Sequence, residues 1–457
     1  MDKQKLKEQV ETIRQAFSYI NQFQNETFVI KIEGSLISHP FFPILIKDIA
    51  LLHHLGIRIV LVPGAKNRID EILDMYNIRC DIVNGIRVSS PESIPFIKMA
   101  AFDVSNKVMT MLKANDTNAV IGNWVRARSI GVKNGVDFQS SGTVDKLEID
   151  IIKNVLTDGL VPIFPNIGWN AQGNPYNLSS NELAFTISTE LKAAKLFFVN
   201  ETGGVRAKGF SVPKGVYVSS DGSISQFTVQ EAEQFLVKNH NTNARAEIEL
   251  VSLAYQACKR GVKRVHIIDG HVEGMILKEI FSNRGMGTMI YSNQHENIRP
   301  MNQADVPEVL QLMKPYIAKG TLIERTTADL EQHVVDYAVY EVDGTVHGCA
   351  ALHQFPGGKA EIAGMAVDEL YASLGIGAKI VSYLLDKAAH GKVKQVFVLT
   401  TQAMDWFSAL GFKKSDIAAL PKQRQEKYDT KRNSMVLTYR VPSARKKPHV
   451  IASMSST

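Results

Sequence analysis

Along the first twenty positions, apolar residues recur at alternating four- and three-residue steps: Leu6, Val10, Ile13, Phe17 and Ile20. This is the spacing of one narrow stripe on a helix. Standing ahead of the first strand, the stripe can pack on its own domain or on another subunit. Short, almost unbroken apolar runs follow at TFVIKI (27–32), IRIVLV (57–62), LVPIF (160–164), KLFFV (195–199), RVHII (264–268) and TMIY (288–291), with a helix around Met275–Phe281. The first two runs end in Glu33-Gly34-Ser35 and Pro63-Gly64-Ala65. Strand, glycine turn, helix and strand is a βαβ rhythm. Strands this apolar want both faces covered, as in a parallel sheet between helices.

The pattern changes after the polar stretch NQHEN (293–297). IRPMNQADVPEVLQLM reads as a short strand and then a helix capped near Asn302 or Asp305. YAVYEVDGTVHGCAALHQF is a pair of strands joined by the Asp343-Gly344 turn, a strong hairpin signal. KAEIAGMAVD adds a strand, a glycine-bearing loop opens a helix over 374–390, and QVFVLT is a further strand. The expected organisation is an amphipathic helix over 1–26, an α/β domain over 27–292, a linker at 293–297, an α+β domain over 298–441 and a tail over 442–457.

Composition narrows the class. At 457 residues the chain is too long for one ordinary core. It is 45% hydrophobic and 21% charged, as in ordinary globular proteins. No apolar run approaches the about 20 residues of a membrane span, and the N-terminus lacks the apolar core of an export signal. The net charge of +6 falls to +2 once Arg440, Arg445, Lys446 and Lys447 are set aside. The body therefore carries no nucleic-acid footprint, and the Ser-rich basic tail reads as disordered. Three dispersed cysteines, Cys80, Cys258 and Cys349, argue against a disulfide framework or a structural metal site and fit a reducing cytoplasm.

Chemistry concentrates in AEIAGMAVDELYASLGIGAKIVSYLL. A strand containing Gly364 ends, a loop carries Gly375 and Gly377, and a helix starts at once. Glycines allow close backbone approach, and the N–H groups of a helix start favour phosphate. Residues 298–441 resemble the GNAT acetyltransferases, whose pyrophosphate loop reads Arg/Gln-x-x-Gly-x-Gly/Ala. In this chain Ala372 replaces the leading residue, so backbone amides carry more of the phosphate binding.

An amino-acid-kinase-like αβα sandwich with a mainly parallel sheet, followed by an α+β GNAT domain, is similar to the layout of bacterial N-acetylglutamate synthases, from residue 8 to the closing KRNSMVL. The resemblance implies acetyl transfer from acetyl-CoA to the α-amino group of L-glutamate, without a metal. It assigns Glu361 as general base and Thr400 as donor to the leaving thiolate. It places Met365, Val367, Leu374, Gly375, Gly377 and Ala378 against acetyl-CoA. Arg325, Gly364, Leu399, Arg424, Arg432 and Ser434 would meet glutamate, whose two carboxylates suit guanidinium forks. Trp406-Phe407 reads as core.

The first domain keeps Lys31 where a kinase lysine stands. However, Glu33 would repel a nucleotide phosphate, and Asn181 in NLSSNELA replaces the organising Asp. A lysine-bearing Gly-Gly segment is missing from the region of NHNTNARAE (239–247). The reading is a kinase fold without kinase activity, in which Arg87 is a vestige. Arginine-sensitive relatives bind arginine beside an interlaced N-terminal helix. Tyr19, His266, Glu279, Gly285, Met286, Gly287 and Thr288 match those positions and imply feedback inhibition by L-arginine. The resemblance also implies a homo-oligomer, with the N-terminal helix as a route to a hexamer. Two alternatives stay open: an enzyme that also phosphorylates acetylglutamate, and an arginine-binding regulator without catalysis.

Overall fold

The computed structural model describes residues 20, 23–213, 216, 218–219, 221–241, 245–281, 287–292, 296–342, 345–368 and 375–442. The expected helix over 1–26, the Asp343-Gly344 turn and the tail from 443 lie largely or wholly outside these residues. Two compact units divide the chain, residues 1–292 and 293–457.

The first unit is built on an eight-stranded sheet: β1 (Thr27–Ile32), β2 (Arg58–Pro63), β3 (Ala119–Ile121), β4 (Val161–Ile163), β5 (Lys195–Asn200), β6 (Gln226–Thr228), β7 (Arg264–Asp269) and β8 (Thr288–Tyr291), in the order β6-β8-β7-β5-β1-β2-β4-β3. All pairs are parallel except β7 with β8. The apolar runs dictate this burial. Phe28, Ile30 and Ile32 enter one core cluster, while Val29 between them enters the cluster on the other face. Helices α1 (Phe42–His54), α2 (Lys66–Met75) and α3 (Ile94–Lys113) supply the first face, as Ile46, Ile69 and Ile97 show. On the second face lie α4 (Ile149–Thr157), α5 (Ser180–Glu190), α6 (Val229–Lys238) and α7 (Arg245–Lys259), with Ile152, Leu183, Phe235 and Val251. The short α8 (Met275–Phe281) precedes β8.

The second unit is a seven-stranded sheet: β9 (Glu296–Pro300), β10 (Tyr337–Val342), β11 (Thr345–Phe355), β12 (Lys359–Val367), β13 (Gln395–Thr400), β14 (Lys413–Ser415) and β15 (Met435–Arg440), in the order β9-β10-β11-β12-β13-β15-β14. Its helices are α9 (Val306–Ala318), α10 (Thr327–Gln332), α11 (Ile376–His390), α12 (Met404–Ala409) and α13 (Lys422–Glu426). Only β12 and β13 run parallel, and their register stops at Ile362 opposite Val398. Beyond that point β12 continues to Val367, while Leu399 and Thr400 pair only with β15. The sheet is therefore split open along its middle.

Gly364 makes the split. Its φ of +60° is a left-handed conformation that other residues adopt at a cost. The β11–β12 register also shifts here, from Ala351 opposite Ala363 to Cys349 opposite Ala366. This bulge turns the end of β12 away from β13. Alternate residues of β11 and β12 go to different cores. Leu352 and Ile362 pack under α11, whereas Cys349, Ala351 and Ala366 pack under α9.

Candidate active site

Glu361 stands just before the split, on the face opposite Ile362, and is 6% exposed. A carboxylate so deep requires a counter-charge, and α13 provides it. Arg424 donates Nε to Oε2 at 2.8 Å and Nη2 to Oε1 at 3.2 Å, with Nη1 on the Lys427 carbonyl. Arg325 arrives from the loop before α10. Its guanidinium occupies the space a side chain at Gly364 would fill, donates to the Tyr337 hydroxyl and lies over that ring. Burial lowers the Arg325 guanidinium from its ordinary value, and the Glu361 carboxylate is among the charges opposing that shift. Nearby, Cys349 donates to the Gly364 carbonyl, and burial pushes its thiol up to about 12. At neutral pH this sulfur is a thiol, not a nucleophile.

The other sequence-assigned residues stand as follows. Arg432 donates Nη2 to the carbonyls of Gly320 and Thr321, tying down the chain that leads to Arg325. The Ser434 carbonyl accepts from Tyr428, whose ring shares a small apolar cluster with Leu399 and Phe397. The Thr400 oxygen accepts from the N–H groups of Gln402 and Ala403 and so sets the turn into α12. Its hydroxyl proton remains to donate. Met365 and Val367 lie on the part of β12 beyond its register with β13, and the Val367 carbonyl accepts from Tyr316 at 2.7 Å.

At the other side of the split, Gly375 caps α11 with φ +68°, an N-terminus with no side-chain cap among the described residues. Gly377 and Ala378 occupy its first turn; Leu374 and Ala372 lie outside the described residues. An uncapped helix start beside an open strand edge fits a pyrophosphate and the amide-bearing arm behind it. Trp406 corrects the core assignment. It is 38% exposed and rests on Gly377, where a Cβ would come within 3.0 Å of the ring, while Phe407 beside it is buried.

In the first unit, the Asn181 amide donates to Glu249 on α7, and its own oxygen is buried with no partner among the described residues. Glu33 accepts from the Glu201 N–H, and Arg87 is paired with Asp70. Burial lowers the Lys31 ammonium, against the opposing pull of Glu33 and Glu249. Nothing in this set organises a lysine for phosphoryl transfer. His266 lies flat on Phe197, with centroids 4.8 Å apart, and its Nδ1 is 2.8 Å from the Glu279 carboxylate. Burial lowers its pKa to about 4, so the ring is neutral, donates Nδ1–H to Glu279 and leaves Nε2 with no partner among the described residues. The other Glu279 oxygen accepts from the Gly287 N–H at 3.3 Å. Thr288 bridges the Val205 N–H and the Ile224 carbonyl. Tyr19, Gly285 and Met286 lie outside the described residues.

Two pairings escaped the sequence reading. Glu361 and Arg424 bind each other, and His353, its Nδ1 2.8 Å from Asp336, is the register partner of Glu361.

Residues 26–269 match the amino acid kinase family and residues 306–412 the acetyltransferase (GNAT) family. Fold and site together define a two-unit acetyltransferase. The chain is 31% identical over 437 residues to the amino-acid acetyltransferase of Mannheimia succiniciproducens, covering 94% of this chain and 97% of that protein. With the Escherichia coli amino-acid acetyltransferase it shares 31% identity over 449 residues, 96% of this chain and 99% of that one. A crystal structure of N-acetylglutamate synthase from Neisseria gonorrhoeae, complexed with coenzyme A and L-arginine, superposes with a TM-score of 0.78 at 29% identity, covering 94% of this chain and 99% of that one. The chain belongs to the amino-acid acetyltransferase family.

Proposed function

We propose that this chain is an N-acetylglutamate synthase, transferring acetyl from acetyl-CoA to the α-amino group of L-glutamate under feedback inhibition by L-arginine. The observation that carries the reading is the meeting of Glu361, Arg424 and Arg325 at the split end of β12. A dicarboxylate acceptor needs cationic forks, and its ammonium needs a carboxylate to take a proton. Arg325 and Arg432 receive the acceptor's carboxylates, Arg424 shares its guanidinium with Glu361, and Gly364, Leu399 and Ser434 line the acceptor space. Acetyl-CoA, when bound, supplies the activated acetyl. Met365 and Val367 offer backbone amides to its arm, Gly375, Gly377 and Ala378 offer the helix start to its pyrophosphate, and Thr400 donates to the departing thiolate.

In the first unit, the His266–Glu279–Gly287 cluster offers arginine a carboxylate and a turn of amides, and the kinase chemistry is lost. The relative from Neisseria gonorrhoeae, whose crystals hold coenzyme A with L-arginine or with N-acetyl-glutamate, supports this reading. The domains over 27–292 and 298–441, a cytoplasmic location and a homo-oligomer built through the N-terminal helices belong to the same proposal. Thiol release by purified protein tests it. Release should require glutamate and acetyl-CoA together and fall on addition of arginine; no glutamate-dependent release overturns it.

A further inference from the structure

Glu361 is an awkward place for a proton to stay. Both its oxygens accept charge-assisted bonds from Arg424, and protonating either one forfeits its bond to the guanidinium. With 8% of its side chain accessible, Glu361 also has little contact with water. A proton taken from an acceptor amine must move on.

His353 is placed to receive it. It faces Glu361 across the β11–β12 ladder, a pairing that sets Cβ atoms about 5 Å apart on one face of the sheet. Its Nδ1 is 2.8 Å from the Asp336 carboxylate. Bonded there, the neutral ring carries its proton on Nδ1 and presents Nε2 as a base. The ring edge meets Tyr337 at 6.2 Å and His333 at 5.7 Å between centroids. Tyr337 in turn holds Arg325, so His353 stands between the two arginine-bearing halves of the site. The ionisable groups around it are Asp336 and His333 on the turn before β10, Tyr337 on β10 and Glu361 on β12, with Arg325 and Arg424 behind them. Unlike Glu361, His353 keeps 24% of its side chain accessible.

We propose that His353, held by Asp336, is the proton relay of the acetyl-transfer site, carrying to water the proton that Glu361 takes from the acceptor amine. This rests on the acetyl-transfer reading above. The amine N–H bond breaks as an O–H bond forms on Glu361. That O–H bond breaks as N–H forms on His353 Nε2, and Glu361 recovers both bonds to Arg424. The imidazolium, paired with Asp336, then gives its proton to solvent. No electrons change hands.

The test is glutamate-dependent CoA release by the full chain between pH 6 and 9.5, for wild type, H353Q, H353A and D336N. The relay predicts a kcat lowered about tenfold or more in H353Q, in the range of one lost proton-transfer group, with KM for acetyl-CoA held within about twofold. Added imidazole should restore rate to H353A but not to E361Q. D336N should lower kcat although the ring remains. A wild-type rate in H353Q overturns the relay, and so does a loss of rate in H353A that imidazole does not restore. Wild-type protein inactive toward glutamate overturns the acceptor assignment itself, and the relay with it.

Discussion

Arg424 holds the Glu361 carboxylate by two parallel hydrogen bonds, Nε to Oε2 at 2.8 Å and Nη2 to Oε1 at 3.2 Å. Each residue neutralises the other, so removing either has two effects. E361Q should lower kcat by roughly two orders of magnitude or more, as for a lost general base, with modest effect on KM. R424Q strands a buried carboxylate and should cost about 3 kcal/mol or more. The double variant should regain stability without regaining rate. Urea unfolding and CoA release on the same preparations separate the two.

Gly364→Ala places a methyl group where the Arg325 guanidinium lies, on a backbone with φ +60°. Arg325 must leave its seat on Tyr337. The expected outcome is a KM for glutamate raised about tenfold or more, the scale of one displaced charged contact, while KM for acetyl-CoA moves far less. Equal shifts in both constants would contradict this assignment.

The Thr400 oxygen organises the turn into α12 by accepting from Gln402 and Ala403. T400S keeps that oxygen and should retain most activity. T400V keeps the shape and loses both acceptance and donation, at a stability cost of about 1 kcal/mol in addition to lost rate. A solvent isotope effect present in T400S and altered in T400V would mark the hydroxyl's part in protonating the thiolate.

The buried His266 makes the first unit acid-sensitive. Its folded pKa of about 4 lies below the ordinary 6.5, so the unfolded chain binds the extra proton between those values. From this group, stability is constant above pH 6.5 and declines as pH falls from 6.5 to 4, by on the order of 3 kcal/mol in total. H266Q keeps an N–H for Glu279 and does not titrate. Denaturant midpoints at pH 7 and pH 5 should converge in H266Q relative to wild type.

Lys31 is buried, and that burial lowers its ammonium from the ordinary value. K31M should unfold within about 1 kcal/mol of wild type or later, since replacing a desolvated charge with an apolar side chain of similar length is often neutral or better. Glutamate acetylation should be unaffected. A collapse of that activity would show that the first unit's old lysine still matters.

The strands were legible because burial on both faces leaves long apolar runs. IRIVLV (57–62) lies one residue from Arg58–Pro63, and TFVIKI, QVFVLT and TMIY coincide with their strands. The glycine at the split was legible as a backbone feature, since the missing side chain of Gly364 in KAEIAGMAV lets that strand splay from its neighbour. Pairings between distant side chains were not. Glu361 and Arg424 are 63 residues apart on a strand and a one-turn helix, and each alone reads separately, one as a general base and the other as a ligand for substrate. His353 alternates with Ala351 and Phe355 like any half-buried strand residue, and only the β11–β12 register brings it opposite Glu361. Trp406 was misjudged because aromatic pairs usually pack inward, whereas this ring leans on the bare backbone of Gly377.

That last contact also equips the molecule with an optical probe. The chain has three tryptophans, and Trp124 and Trp169 both belong to the first unit, leaving Trp406 as the single indole of the second. It is partly open to water and touches the first turn of α11, where a nucleotide's phosphates would settle. Emission from the isolated indole of a W124F/W169F protein would report, without label or coupled assay, the moment that turn changes its surroundings.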